Sequence, residues 1–233
     1  MKRAFVLGGT GVVGSAVVRA LHAEGFAVTF SFFQAEDRAH ALAKDIDGRA
    51  VRVDLTQVSA LPAVLAAFDG EPPRVAVHCA GTLVGASLAE LSDEQWERSH
   101  AINARSAFQL CRGLGPRMAA HGGGDIVLVG GLDRTQSLPL PVAYAASQGT
   151  LSALVMAAAK ELGPRAVRVN MVALGVLDAG LSTGLPEKVR QDFVSYSALR
   201  RYGTPEEAAK TVVWLVTRNT FVTGKVIAAN GGI

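Results

Sequence analysis

The glycine spacing in Gly8-Gly9-Thr10-Gly11-Val12-Val13-Gly14, directly after the apolar run Ala4–Leu7, constrains this chain more than any other feature. Glycine lets a backbone turn where a side chain would collide, and the stretch from Val12 to Glu24 carries a helical period. The segment therefore reads as strand, tight turn and helix. A GxxGxxG turn in that setting suits a phosphate cradle, because the first-turn amides and the positive end of the helix dipole stabilise an anion, and the bare backbone lets a pyrophosphate come close. A merely structural turn is the alternative reading of the same glycines.

Beyond this turn, short β-rich runs alternate with longer segments of helical period, the pattern of parallel strands joined by crossover helices. Seven strands are expected: Arg3–Gly8, Ala27–Ser31, Ala50–Val53, Val75–Cys79, Asp125–Val129, Val167–Val172 and Val226–Ala229. The clearest helices are Val12–Glu24, Ala35–Ile46, Asp93 to about Ala120, Ala143–Leu162 and Pro205–Val216. Thr204 is placed to cap the last of them, with Pro205 in its first turn. No repeat or linker interrupts the alternation, so residues 1–233 read as one Rossmann-type, doubly wound α/β domain. Between Leu174 and Tyr202 the pattern is broken by Gly175, Gly180, Gly184 and Pro186, as in a substrate loop or an ordinary surface connection.

Several classes of function are disfavoured. The formal charge of +3 comes from Lys and Arg scattered along the chain, without a run able to follow a nucleic-acid backbone. Cys79 and Cys111 have no metal-ligand spacing and read as reduced, buried thiols, so no metal is expected. Lys2-Arg3 before an apolar stretch resembles the start of a signal peptide, but the glycines from Gly8 to Gly14 would break its helix. No stretch reads as a membrane span, and a cytoplasmic setting is expected.

In a dinucleotide fold the second strand ends near the ribose. Here the end reads Ser31-Phe32-Phe33-Gln34, with no acid to hold the 2′-hydroxyl of NAD, which tilts the choice toward NADP. No arginine stands there either, and Glu36 and Asp37 follow closely.

Together, the glycine turn, Asp54, Cys79-Ala80-Gly81, Asn103, Tyr144, Arg168-Val169-Asn170, Gly175, Gly203-Thr204-Pro205 and the ending Asn230-Gly231-Gly232 resemble the short-chain dehydrogenase/reductase family over nearly the whole chain. The resemblance implies a parallel sheet in the order 3-2-1-4-5-6-7 and a nicotinamide cofactor at the strand C-termini. It also implies a small carbonyl substrate and a homodimer or homotetramer. Carried onto this chain, cofactor contacts fall to Gly8, Thr10, Gly11, Val12, Val13, Gly14, Asp54, Leu55, Cys79, Ala80, Gly81 and Gly175. Asn103 would hold a helix kink and a water. Asp54 could instead cap its own turn, and Asn103 could be a satisfied helix-interior amide.

The chain departs from the family in its catalytic residues. The family pairs a tyrosine with a lysine four residues later and a serine about thirteen residues earlier. Tyr144 is present, but Gln148 stands in place of the lysine and Gly131, preceded by Gly130, in place of the serine. A phenol of ordinary pKa near 10 is ionised to about one part in a thousand at pH 7, and Gln148 supplies no charge to lower that value. Alcohol oxidation should suffer more than carbonyl reduction, which needs only a neutral phenol. Backbone amides near Gly131-Leu132, or Asp133, Thr135 and Ser137, could replace the serine. His78 reads as structural. A weakened ketoacyl-type reductase is the first reading. The alternatives are a pseudoenzyme paired with an active homologue, and non-redox lyase or dehydratase chemistry.

Overall fold

The computed structural model describes residues 2–68, 70–131 and 140–233. Its seven strands are β1 (Arg3–Leu7), β2 (Ala27–Phe32), β3 (Arg49–Arg52), β4 (Val75–His78), β5 (Gly124–Gly131), β6 (Val167–Leu174) and β7 (Val226–Ala229). They form one sheet in the order β3-β2-β1-β4-β5-β6-β7. Every pairing is parallel. The expected fold class and strand order hold, with the strand ends moved by one or two residues.

Alternation along β1 explains why helices cover both faces. Ala4 and Val6 join Val17, Val18, Leu21 and Val212 on one side, while Phe5 and Leu7 join Leu61, Leu110, Leu114 and Val155 on the other. The first layer belongs to α1 (Val12–Ala23), α2 (Glu36–Asp45) and α8 (Pro205–Thr217). The second belongs to α3 (Ala60–Ala66), α5 (Ser106–Ala120) and α6 (Val142–Leu162). β5 and β6 are tied near their N-terminal ends, where Arg168 donates from Nε and Nη2 to the two carboxylate oxygens of Asp125, each at 2.8 Å.

Local chemistry sets the helix starts. Thr204 Oγ1 accepts from the Glu207 N–H and Glu207 Oε2 accepts from the Thr204 N–H, a reciprocal cap with Pro205 in the first turn. The expected single helix from Asp93 to Ala120 is three segments: α4 (Asp93–His100), a π-helical turn (Ala101–Arg105) and α5. The irregular segment after β6 holds a 3₁₀ turn (Gly180–Gly184) and a further helix, α7 (Glu187–Tyr196). α3 was not expected either. It accommodates Pro62 because a first-turn residue needs no intrahelical N–H bond. The expectation that nothing matches a membrane span is also corrected, since α6 is long and apolar enough by length and composition. Its Leu151, Val155, Ala159 and Leu162 are buried in the second core layer.

The C-terminal ends of all seven strands lie along one edge of the sheet, and the order reverses between β1 and β4. That reversal opens a crevice above the glycine turn. Helix α1 can rise from β1 there only because Gly14 has no side chain: a Cβ would collide with the Gly8 carbonyl oxygen. Gly14→Ala is expected to lower stability by about 2 kcal/mol, a fall in Tm of roughly 4–8 °C. Gly149→Ala, where a Cβ meets open space on α6, should leave Tm unchanged or raise it in the same thermal melt.

Candidate active site

The glycine turn is held from two sides. Gly8 sits at φ 84°. Its N–H donates to Ser31 Oγ at 2.9 Å, and the Gly9 N–H donates to the Ser31 carbonyl at 2.8 Å. A Cβ on Gly8 would lie 2.7 Å from the Ala80 nitrogen, so the loops after β1 and β4 touch backbone to backbone. α1 then starts at Val12 with Gly11 as its N-cap and no capping side chain. Its first-turn amides have no intrahelical acceptor, which makes this end an anion site.

Two cavities of about 330 Å³ each share the wall Thr10, Gly11, Arg38, Cys79, Ala80 and Gly81, and together they form one cleft across the strand ends. The outer cavity contains Gly8, Ser31, Gln34, Asp54, Leu55 and Arg98. The inner one contains Val12, Val13, Asn103, Gly131, Tyr144, Gln148 and Gly175. Every site residue expected from the sequence lines this cleft except Gly14, whose part is the close packing described above. A larger cavity of about 500 Å³ lies beyond Gly175, around Phe193, Arg201, Tyr202 and Asn230. It touches neither Tyr144 nor the glycine turn, so chemistry rather than size locates the candidate site.

Asp54 makes the turn contact left open by the sequence, accepting through Oδ1 from Thr56 N–H at 2.9 Å and from Thr56 Oγ1 at 2.7 Å. Those bonds hold its carboxyl below the usual range. Asn103 lies in the π-helical turn and is saturated. Its Oδ1 accepts from Thr82 N–H at 2.8 Å, and its Nδ2 donates to the Thr82 carbonyl at 3.1 Å and to Ser147 Oγ at 3.0 Å. Asn103 thus pins the loop after Gly81 to α6.

Tyr144 stands one helical turn before Gln148 and faces the end of β5. A Cβ on Gly131 would lie 2.5 Å from its Oη, which places the phenol oxygen over the bare Gly131 backbone. Burial pushes the phenol up to about 12, with the Gly131 amide pulling part of the way back. Gln148 Oε1 accepts from the Gly131 N–H at 3.0 Å, and Nε2 makes only a long 3.4 Å bond to Ser147 Oγ. The Gly131 amide suggested as a substitute for the serine is therefore occupied. Leu132, Asp133, Thr135 and Ser137 lie outside the described residues.

Two features of the cleft were not found from sequence. Arg38, on α2 rather than at the end of β2, lines both cavities, so an arginine does reach the cavity beside Ser31–Gln34. A small apolar pocket that Tyr144 lines is walled by Leu83, Leu140, Leu174, Leu181 and Leu185, with Ser182 also in its lining. The helical period of α2 could have placed Arg38 near the cradle. The pocket draws on three separate loops and has no local signature.

Comparison with known proteins agrees with this architecture. The family model described as enoyl-(acyl carrier protein) reductase matches residues 10–233. The 3-oxoacyl-[acyl-carrier-protein] reductase FabG of Thermotoga maritima is 33% identical over 160 residues, which are 68% of this chain and 65% of that protein, so this match spans just under two thirds of the relative. A short-chain dehydrogenase/reductase structure from Serratia marcescens superposes with a TM-score of 0.90 at 30% identity, covering 99% of this chain and 97% of that one. A blue fluorescent protein from a metagenomic library, in complex with NADPH, superposes at 0.91 with 28% identity and the same coverage.

Beneath the cleft, His78 is fully buried at the end of β4, with Nε2 2.7 Å from Ser106 Oγ. Ser106 donates its own proton to the Ile102 carbonyl of the π-helical turn, which assigns the imidazole proton to Nε2 and leaves Nδ1 without a partner among the described residues. Burial lowers the pKa of His78 from 6.5 to about 4. Between those values the unfolded chain binds the proton that the folded one refuses, so the contribution is full above pH 6.5 and is lost as pH falls toward 4. His78→Asn should remove the effect. Denaturant titrations of the parent at pH 7 and pH 4.5 should differ by roughly 2–3 kcal/mol more than those of the variant.

Proposed function

This chain belongs to the short-chain dehydrogenase/reductase family, and we propose that it reduces the carbonyl group of a ketoacyl-type compound with NADPH, using Tyr144 as the proton donor. The observation that carries the proposal is a neutral phenol at the inner end of the cleft, held protonated by burial. The 3-oxoacyl reductase relative and the NADPH-bound neighbour point the same way.

The cofactor fits the residues present. Gly8 lines the outer cavity and Gly11 lines both, each without a side chain, and the uncapped start of α1 suits a diphosphate. Arg38 offers a cation where a 2′-phosphate requires one, and no acid lines that end except Asp54, which is committed to Thr56. Gly175 lines the inner cavity without a side chain, and a Cβ there would meet the Phe193 ring at 2.6 Å, on the side of the larger cavity. When bound, the nicotinamide supplies the hydride.

The residues of the chain account for the proton and the orientation. Tyr144 Oη gives its proton to the carbonyl oxygen as that oxygen becomes an alkoxide. Gln148, which stands where the family has a lysine, is uncharged and holds the Gly131 amide instead. Burial outweighs the Gly131 amide and disfavours a tyrosinate, so reduction is supported and alcohol oxidation is slow at neutral pH. Asn103 acts through the Thr82 loop and Ser147, as a positioning residue.

With a panel of ketones and 3-oxoacyl thioesters, Tyr144→Phe is expected to lower NADPH-dependent kcat by about 10² or more. Unchanged turnover in that variant would overturn the assignment. Calorimetry should show Arg38→Gln weakening NADPH about tenfold with NADH unaffected. The reverse reaction should rise about tenfold per pH unit from pH 7 to 10, following ionisation of a phenol of pKa about 12, while the reductive kcat stays flat over the same range.

A further inference from the structure

We propose that Ser182, in the 3₁₀ turn after β6, is a second hydrogen-bond donor to the substrate carbonyl oxygen, beside Tyr144, in a pocket shaped for apolar substituents. The proposal rests on the reductase reading above and deepens it.

The seam between the inner cavity and the leucine-walled pocket is formed by Gly131, Tyr144, Leu174, Gly175, Leu181 and Ser182. A carbonyl group shared between the nicotinamide side and the leucine side has to cross this seam. Among the described residues, Tyr144 and Ser182 are the only hydroxyl-bearing ones that line it. The other polar side chains of the inner cavity are committed or distant. Asn103 is saturated by Thr82 and Ser147. Gln148 is bound through Oε1 to the Gly131 amide, and with only a long bond from its Nε2 to Ser147 it lines the inner cavity and not the leucine-walled pocket. Thr10 and Arg38 lie on the wall shared with the outer cavity.

Ser182 is held with its oxygen fixed and its proton unassigned. Its Oγ accepts from the Leu177 N–H at 3.0 Å, which sets the rotamer, and the hydroxyl proton has no acceptor among the described residues. A hydroxyl that accepts from the backbone and still has a proton to give is a preorganised donor. The turn that carries it is itself braced. A Cβ on Gly180 would run into the Val12 side chain, and one on Gly81 would lie 3.2 Å from the Leu181 side chain, so residues 180–182 pack against the start of α1 and the loop after β4. Position 131 cannot offer the same donor without moving Tyr144, because its Cβ would come within 2.5 Å of the phenol oxygen. Ser182 transfers no proton. It stabilises the oxygen that Tyr144 protonates, and the surrounding leucines direct aliphatic, uncharged groups into the pocket.

The test compares Ser182→Ala and Ser182→Thr, with Ser182→Cys judged by the same criteria should the alanine variant not fold. For a short aliphatic ketone, Ser182→Ala should lower kcat/KM about 100-fold, mostly in kcat. NADPH affinity and Tm should stay near the parent values, and Ser182→Thr should recover most of the loss. A second readout needs no turnover: binding of butyramide, a non-reacting carbonyl ligand, to the NADP⁺-saturated protein should weaken about tenfold in Ser182→Ala. A parent that reduces no ketone refutes the reductase reading, and the butyramide measurement then judges Ser182 by itself. A loss in either readout that threonine reverses upholds the proposal. It is overturned by unchanged values in both, by a loss that threonine does not reverse, or by a loss matched by an equal weakening of NADPH. The last would mean that Ser182 serves only to cap Leu177.

Discussion

The approach of Gly8 to the backbone between Cys79 and Ala80 is the contact on which the cleft depends. Two crossover connections leave neighbouring strands in opposite directions, and their first residues must pass at a distance that no side chain permits. Once they do, the start of α1 faces the crevice with its amides free. Gly14 then brings the helix down onto the Gly8 carbonyl, and the loops from β1 and β4 share a cavity wall with Arg38, the loop after β3 closing the outer cavity and the one after β6 the inner. The Ser31 hydroxyl and carbonyl secure the arrangement from the β2 side. Lengthening any of these contacts would open the cradle and release the bracing of the turn at Gly180, which leans on Val12.

At the inner end, Gly130, Gly131, Tyr144 and Gln148 fit one another. A Cβ at Gly130 would collide with Gln148 Oε1, and one at Gly131 would crowd the Tyr144 oxygen. Gln148 in turn gives the Gly131 amide the acceptor that a buried N–H requires. A lysine at 148 would leave that amide unsatisfied, and a serine at 131 would displace the phenol. Glycine pair, glutamine and tyrosine pack as a set, so substituting one of them disturbs the others.

The sequence showed the sheet because its signals are local: the glycine spacing, the alternating apolar runs and the Thr204-Pro205-Glu206-Glu207 cap each act within a few residues. Strand β7 was placed to the residue. Local periodicity could not show the π-helical turn, because helical period continues through it. The break matters in three dimensions, where Asn103 reaches both Thr82 and Ser147. Helix α7 was hidden among breakers that delimit it rather than interrupt it. Arg38 was overlooked because an end-of-strand position was expected, whereas a helix one turn further on reaches the same place. Ser182 and the leucines come together from distant loops, and no spacing rule connects them.

Charge is distributed unevenly along the cleft. Arg38 and Arg98 line the outer cavity. At the inner end the side chains around Tyr144 are neutral: Gln148, Asn103, Ser147 and Ser182, with His78 uncharged below them. A neutral, partly enclosed environment strengthens each remaining hydrogen bond and raises the cost of ionising the phenol. It also makes placement matter more than charge, because a donor aimed at an emerging alkoxide in such a site has little solvent to compete with. The chain meets that demand by fixing oxygens to backbone amides, Gln148 through Gly131 and Ser182 through Leu177. An inner end built in this way keeps the phenol protonated and favours giving a proton over taking one.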